Sequence, residues 1–369
     1  MTAPSAGGDS PVDRISRRSL LARLAGSGSM LALGRGAYAK SGRTLSVRDF
    51  GARGDGAHDD TQSFQDAIDA LRGGGTVDVP SGIYRIDPLR SVRLRSGVHL
   101  KMARGAELHA IPNAAPRAYV LLVQAVTDVR ISGGRIVGDR DRHLGTEGEW
   151  GHGIAIYDGV RVVVRDTHIS RCWGDGISIG GKKRGRDDLR PSMDVEIANV
   201  KFIGNRRQGL TVGRSRRVWV HDCEMADTGG TAPMAGIDVE PDKGDIAKDV
   251  RIERCLVRRN RGPGIQVWHD THDVLIRDCT IEDNRNPGIL AVGANGLSIR
   301  GNRIRDNAKV GIALRKQTRN VDISGNTFSD NAPGRPRKPT FGSDPRWAHH
   351  LEVAADAYLP KVSADNRLD

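Results

Sequence analysis

Aromatic residues make up only 4% of the 369-residue chain, with five each of Phe, Trp and Tyr, so a conventional core built on large rings is excluded. No apolar run approaches the ~18 residues that a membrane-spanning helix requires, which excludes a membrane span. Four cysteines are too few for a disulfide-stapled scaffold of this length. No helix-turn-helix, zinc-finger or other nucleic-acid-binding pattern is present either, although Lys and Arg outnumber Asp and Glu by 57 to 45, a net charge of +12. What the chain has in quantity is glycine, 46 residues, the composition of a protein with many turns and close backbone packing.

The N-terminus reads as an export signal. Paired Arg17 and Arg18, with Ser16 and Leu20 beside them, precede a weakly apolar stretch and the Ala37-Tyr38-Ala39 cleavage pattern, an order that resembles a twin-arginine signal. The twin-arginine export machinery is thus an expected partner, residues 1–39 are the expected signal peptide, and the product is expected to be periplasmic or secreted. That segment holds five Arg and two Asp, so the remainder carries +9. Outside the cytoplasm a basic surface favours acidic polysaccharide over nucleic acid.

From about residue 92 the chain repeats. "GHGIAIYDG", "GDGISIGG", "QGLTVGRS", "AGIDVEPD", "PGIQVWHD", "PGILAVGA" and "VGIALRKQ" each carry Gly-(Ile/Leu)-x-apolar, and between them lie stretches such as "DVRIERCLV" and "DVLIRDCTI" that alternate apolar and polar residues. Two or three short strands in each repeat of mostly 23 to 33 residues, with no intervening helices, predict an all-β solenoid. Cys223, Cys255 and Cys279 fall at one equivalent position, continued by Asn302 and Asn326; Asn260, Asn284 and Asn307 form a second row. In-register parallel strands stack identical side chains ~4.8 Å apart, so these rows are expected to be buried ladders, with the cysteines as small fillers and not disulfides.

Residues 40–91 differ in texture. Phe64, Ala67, Ile68 and Leu71 lie at i, i+3, i+4 and i+7, which predicts a helix over 61–71 that caps the N-terminal end of the solenoid. The coils are expected over 92–332 and an irregular Pro- and Arg-rich tail over 333–369. "VRDFGARGDGAHDDTQSFQDAIDA" and "GGTVDVPSGIYRI" at 47–86, followed by "LRSGVHLKMARGAELHA" at 94–110, resemble the opening of the pectate-lyase-like right-handed parallel β-helix superfamily. Polygalacturonase-like hydrolases, the pectate lyase superfamily domain and alginate epimerases share that opening. The resemblance implies the fold and activity on carbohydrate. It does not imply one reaction: the N-T-D strand and D-D pair of the hydrolases are absent, "GHGI" stands at 151–154 before the acidic strand, and the Y-G-x-D-P-H of the epimerases is absent too.

Aligning the coils on Gly-Ile places chemistry on one outer face. Asp238 and Glu240 in "GIDVEPD" lie at i and i+2 on one strand, Cα atoms roughly 6.5–7 Å apart, a spacing compatible with the acid and base of an inverting glycosidase. Asp175, two coils earlier, is a third candidate carboxylate. Gly180 and Gly213 below Glu240 suggest a trough, with Tyr157 and Trp268 flanking it for sugar stacking. Arg206, Arg207 and Gln208 are candidates for binding a uronate, and His269, beside Trp268, is a candidate acid or base. Three readings follow. The first is an exported polysaccharide depolymerase of glycosidase type, needing no cofactor, with Asp238 and Glu240 as acid and base. The second is a lyase or C5-epimerase in which Asp238, Glu240 and Asp242 hold Ca²⁺ and Arg207, Lys243 or His269 moves protons. The third is a non-catalytic glycan-binding solenoid.

Overall fold

A computed structural model describes residues 42–183, 189–334 and 345–369; the expected export signal lies outside the described residues. The chain winds as a right-handed parallel β-helix. Two twelve-stranded sheets and one ten-stranded sheet run its length, each pairing every strand in parallel with the equivalent strand of the next coil. The Gly-Ile repeats form the third sheet, for example Ile154–Tyr157 on Ile177–Gly180, then Leu210–Val212 on Ile237–Val239 on Ile265–Val267.

Alternation along each strand sends Ile, Val and Leu inward from all three sheets. Ile237, Val239, Val250, Ile252 and Val257 of one coil are all fully buried, and each repeats a similar residue above and below, so the core is a stack of aliphatic layers. The turns between sheets use the left-handed region repeatedly, mostly at Asp, Asn and Arg, such as Asp222 (φ 55°), Asp227 (φ 61°) and Asp278 (φ 54°). Asp is among the residues that tolerate that conformation. Arg254 and Arg259 of the next coil then pair bidentately with Asp222 and Asp227.

Both ladders form and are longer than the sequence suggested. Asn260 Nδ2 donates to Asn284 Oδ1 at 2.9 Å, Asn284 Nδ2 to Asn307 Oδ1 at 3.0 Å, and Asn307 Nδ2 to Asn331 Oδ1 at 2.9 Å. The second row runs from Cys255, whose N–H donates to Cys279 Sγ, through Asn302 and Asn326 to Asn366. All four cysteines are buried and unpaired by disulfide.

The ends depart from expectation. Coils begin at Thr44, not at 92: Thr44–Ser46, Gly75–Val79 and Val98–Met102 already stack in the first sheet, and Asp55–Asp59, Gly82–Ile86 and Ala106–Ala110 in the second. Only the third sheet starts at Val92. Helix α1, Thr61–Asp69, falls in the chain where the first coil's third-sheet strand would stand, burying Phe64, Ala67 and Ile68. Its Gln65 carboxamide accepts from Arg93 N–H at 2.9 Å and donates to Arg93 C=O at 3.3 Å. This satisfies the sheet edge that would otherwise lie open. At the other end the expected irregular tail supplies one more coil, with Leu351–Val353, Lys361–Val362 and Arg367–Leu368 each pairing in one sheet. Among the described residues no helix is long and apolar enough to cross a membrane.

Asn284 is an interior rung: it accepts from Asn260 and donates to Asn307. Asn284→Ala orphans buried groups on two neighbours and should cost about 2–3 kcal/mol. Arg285→Ala, on the exposed turn beside it, should change stability by less than about 0.5 kcal/mol. Denaturant unfolding of the two variants checks this; equal stability would remove the ladder as a stabilising element.

Candidate functional site

The outer face of the third sheet carries three parallel rows across the middle coils. One holds His152, Asp175 and Gln208, each just before the Gly-Ile pair. The next holds Ser178, Thr211, Asp238 and Gln266 in paired register. The third holds Tyr157, Gly180, Gly213, Glu240 and Trp268, the last level with Glu240 because its N–H donates to Val239 C=O at 2.9 Å. Strand alternation aims these side chains away from the aliphatic core, yet most are buried: Asp175, Gln208 and Asp238 are fully enclosed.

Arg207 makes that burial possible. Its guanidinium lies across the rows, with Nη1 3.4 Å from Asp175 Oδ2 and 2.6 Å from Gln208 Oε1, Nη2 3.6 Å from Glu240 Oε2, and Nε 3.4 Å from Glu149 Oε2. Gln208 in turn donates to Asp238 Oδ2, and Gln266 Nε2 reaches both Asp238 oxygens at 3.2 Å. The Thr211 hydroxyl donates to Asp175 Oδ2 at 2.8 Å and lies beside Gln208 Oε1.

Burial and charge set the proton positions. Asp238 is held well above the usual carboxylate range, first by burial and then by the charge of the neighbouring Glu240 carboxyl; Arg207 and Gln266 oppose this without reversing it. Asp175 is pushed up to about 6 by burial, with Arg207 and Thr211 limiting the rise. His152 is driven down to about 3 by burial and then by the neighbouring Arg207 and Arg117. Its Nδ1 accepts the backbone N–H of Asp175 at 3.0 Å. His152 is therefore neutral, and its 3.5 Å approach to Asp175 is no ion pair. Tyr157 is raised by burial and by Tyr119, so it stays protonated. Arg207 is raised, because Asp175, Glu149, Asp238 and Glu240 together outweigh its burial.

Several expectations change here. Asp238 and Glu240 share a face, as expected from their i, i+2 spacing, and the Glu240 charge raises Asp238. Asp238 is buried while the Glu240 side chain keeps 31% of its exposure, so only Glu240 is open to a ligand. Asp175 and Gln208 are enclosed by protein partners and offer no free surface. Arg207 faces carboxylates of this chain at 3.4–3.6 Å. Arg206 is elsewhere, stacked 3.7 Å over the Trp173 ring and donating to Gly148 C=O at 2.9 Å. Tyr157 does not flank an open trough: its ring lies over Gly180, where an added Cβ would stand 3.2 Å from it. Trp268 does border Glu240, with Lys316 Nζ 5.7 Å from its ring centre. His269 is half-exposed and bonded to Asp270, outside the network. Asp242 and Lys243 are exposed beyond Pro241. Among the described residues no three His, Cys, Asp or Glu side chains converge as a metal site. The cluster's carboxylates instead converge on the Arg207 cation.

His152, Thr211 and Gln266 join the site without having been singled out, although all three stand in the aligned rows. Glu149 had no signal at all. It precedes the strand Trp150–Tyr157 in a segment held by Arg206 on Gly148 and by Trp173 Nε1 on Glu147 C=O at 3.4 Å.

Asp175 binds its proton more tightly folded than unfolded, where its value is 3.8. Its ionisation therefore destabilises the fold as pH rises from about 4 through about 6, by about 3 kcal/mol in total. Asp175→Asn should flatten the stability curve over that interval in denaturant unfolding; a curve parallel to wild type would contradict the assigned shift.

Residues 44–103 match the family model described as rhamnogalacturonase A/epimerase, pectate lyase-like, and residues 188–336 match the right-handed β-helix region model. The uncharacterized protein YclG of Bacillus subtilis is 29% identical over 219 residues, 53% of this chain and 38% of that protein. The chain thus spans less than two fifths of the length of the first curated relatives it matches. Among solved structures, the A-module of the mannuronan C-5 epimerase AlgE4 from Azotobacter vinelandii superposes with a TM-score of 0.61 at 20% identity, covering 89% of this chain and 97% of that one. A hyperthermoactive exopolygalacturonase from Thermotoga maritima gives 0.58 at 15% identity, covering 79% and 83%.

Proposed function

We propose that this chain, whose fold is the pectate-lyase-like right-handed parallel β-helix, is a polysaccharide-active enzyme that hydrolyses glycosidic bonds in an acidic glycan. The observation that carries the proposal is the Asp238–Glu240 pair on one strand face: a fully buried carboxyl held well above its usual range by burial and by the Glu240 charge, beside a carboxyl that reaches solvent. Ionising both carboxyls would set like charges together in a desolvated place, which favours a proton on the pair. Glu240 presents that proton to the leaving glycosidic oxygen. Asp238 supplies and reclaims it from behind. Trp268 beside Glu240 offers a ring face for a sugar.

This geometry favours hydrolysis over the elimination or epimerisation reading. Those reactions need a base to take a proton from carbon, and Arg207 cannot serve because the acids around it raise it further. Lys243 and His269 stand away from the cluster. A Ca²⁺ requirement is also disfavoured, since Arg207 already supplies the positive charge that a cation would bring, and activity should survive chelation. A purely structural solenoid has no need of a buried carboxyl held in its neutral form at a surface-facing partner. The +9 charge of residues 40–369 supports an anionic polymer as substrate, and the Arg17–Arg18 signal supports action outside the cytoplasm.

Glu240→Gln and Asp238→Asn should each lower kcat by about 10²–10⁴-fold with unfolding midpoints near wild type. Reducing-end release from polygalacturonate, alginate and bacterial capsular glycans measures this. Saturated products are expected; products with the ultraviolet absorbance of an unsaturated uronate, or unchanged kcat in both variants, would contradict the proposal.

A further inference from the structure

Arg207 meets buried groups along most of its guanidinium, but one edge meets two carboxylates that reach solvent. Glu149 Oε2 lies 3.4 Å from Nε and Glu240 Oε2 lies 3.6 Å from Nη2, with the two side chains 32% and 31% exposed. Nε and Nη2 are neighbours on the same edge of the planar guanidinium. The two carboxylates are therefore presented together, while the cluster's other acids, Asp175 and Asp238, are enclosed.

Two independent features mark this edge as a place for a ligand. Arg207 Nε, the atom that faces Glu149, is buried and has no hydrogen-bond partner. An unpaired buried polar atom is costly, and such groups concentrate where function requires them. Trp150, the residue after Glu149, is 40% exposed, with the Arg117 guanidinium 5.0 Å from its ring centre. An exposed indole beside a cation suits an acidic sugar.

We infer that Glu149 is the second catalytic carboxylate, the base that activates water while Glu240 protonates the leaving group. The inference rests on the hydrolase reading above. In the reaction the bond between the anomeric carbon and the glycosidic oxygen breaks, and that oxygen takes the proton from Glu240. The water oxygen bonds to the anomeric carbon and its proton passes to Glu149, so one water is consumed and the two carboxyls exchange protonation before resetting through solvent. The surroundings of the two acids fit these opposite roles. Glu240 is backed by proton-bearing Asp238, whereas the charges facing Glu149 are the cations of Arg207 and Arg206.

The fold holds Glu149 in place by specific means. Arg206 grips Gly148 C=O while stacked on Trp173, and Trp173 Nε1 donates to Glu147 C=O. The Glu149 carbonyl packs so closely on Gly174 that an added Cβ there would lie 2.4 Å from it. Arg206 is thus a positioning residue for Glu149.

The test uses the full exported enzyme and whichever of polygalacturonate, alginate or capsular glycan the wild type cleaves. Glu149→Ala and Glu149→Gln should each lose about 10²–10⁴-fold in kcat with KM within about twofold of wild type. Glu147→Gln, on the same segment, should retain full activity. Sodium azide should restore turnover at least about tenfold in Glu149→Ala alone and yield a glycosyl azide by mass spectrometry, because the small anion replaces the missing base and attacks the anomeric carbon. Glu149 variants that cleave normally overturn this inference and leave the hydrolase reading intact. So does a folded Glu149→Ala that is inactive and not rescued by azide, which would make Glu149 only a tether for Arg207. Unsaturated products, or no product from the wild type, overturn both.

Discussion

In-register parallel pairing keeps successive coils ~4.8 Å apart, and everything that this molecule does with side chains is done at that interval. Inside, the interval stacks Ile on Ile and Asn on Asn, so that each buried amide finds its partner one coil away. Outside, it brings Thr211, Asp238 and Gln266 from three coils into one row and sets Glu240 beside Trp268. Residues 23 to 28 apart in sequence become immediate neighbours, and their chemistry depends on holding that register.

Register alone would leave three acids repelling one another on an exposed sheet. Arg207 changes this by lying across the rows and taking contacts with Asp175, Glu240 and Glu149 at once. With that cation in place the carboxylates can be enclosed, and enclosure then raises Asp238 and Asp175. Burial and the central cation oppose each other, and the outcome differs by position: Asp238, pressed by Glu240 as well, is raised well above the usual carboxylate range, while Asp175, held by Arg207 and Thr211, is pushed up only to about 6.

The repeat made the solenoid legible, because a Gly-Ile strand recurs in each middle coil and alternation is unbroken. The first coils were not, since helix α1 stands where the first coil's third-sheet strand would be and the next coil's strand, Val92–Arg93, lacks the Gly-Ile pair. The last coil hid for a similar reason: Leu351–Val353 lacks the Gly-Ile pair and follows a Pro- and Arg-rich stretch. Within the site, the rows predicted which residues would be adjacent but not what would cover them. Asp238 looked solvent-facing because its strand position points outward, and only the lateral reach of Arg207, Gln208 and Gln266 encloses it. Glu149 was invisible to periodicity because it sits in an irregular segment whose path is set by Arg206 and Trp173, contacts of 26 to 58 residues' separation.

The account stands on Asp238 keeping its proton well above the usual carboxylate range beside Glu240. Carbon-13 NMR titration of the side-chain carboxyl carbons, with assignment through Asp238→Asn and Glu240→Gln, tests it most directly. The prediction is one carboxyl resonance that remains in its protonated position through neutral pH and disappears in Asp238→Asn. Asp238 and Glu240 both titrating below about pH 5, within the ordinary carboxylate range, would contradict it.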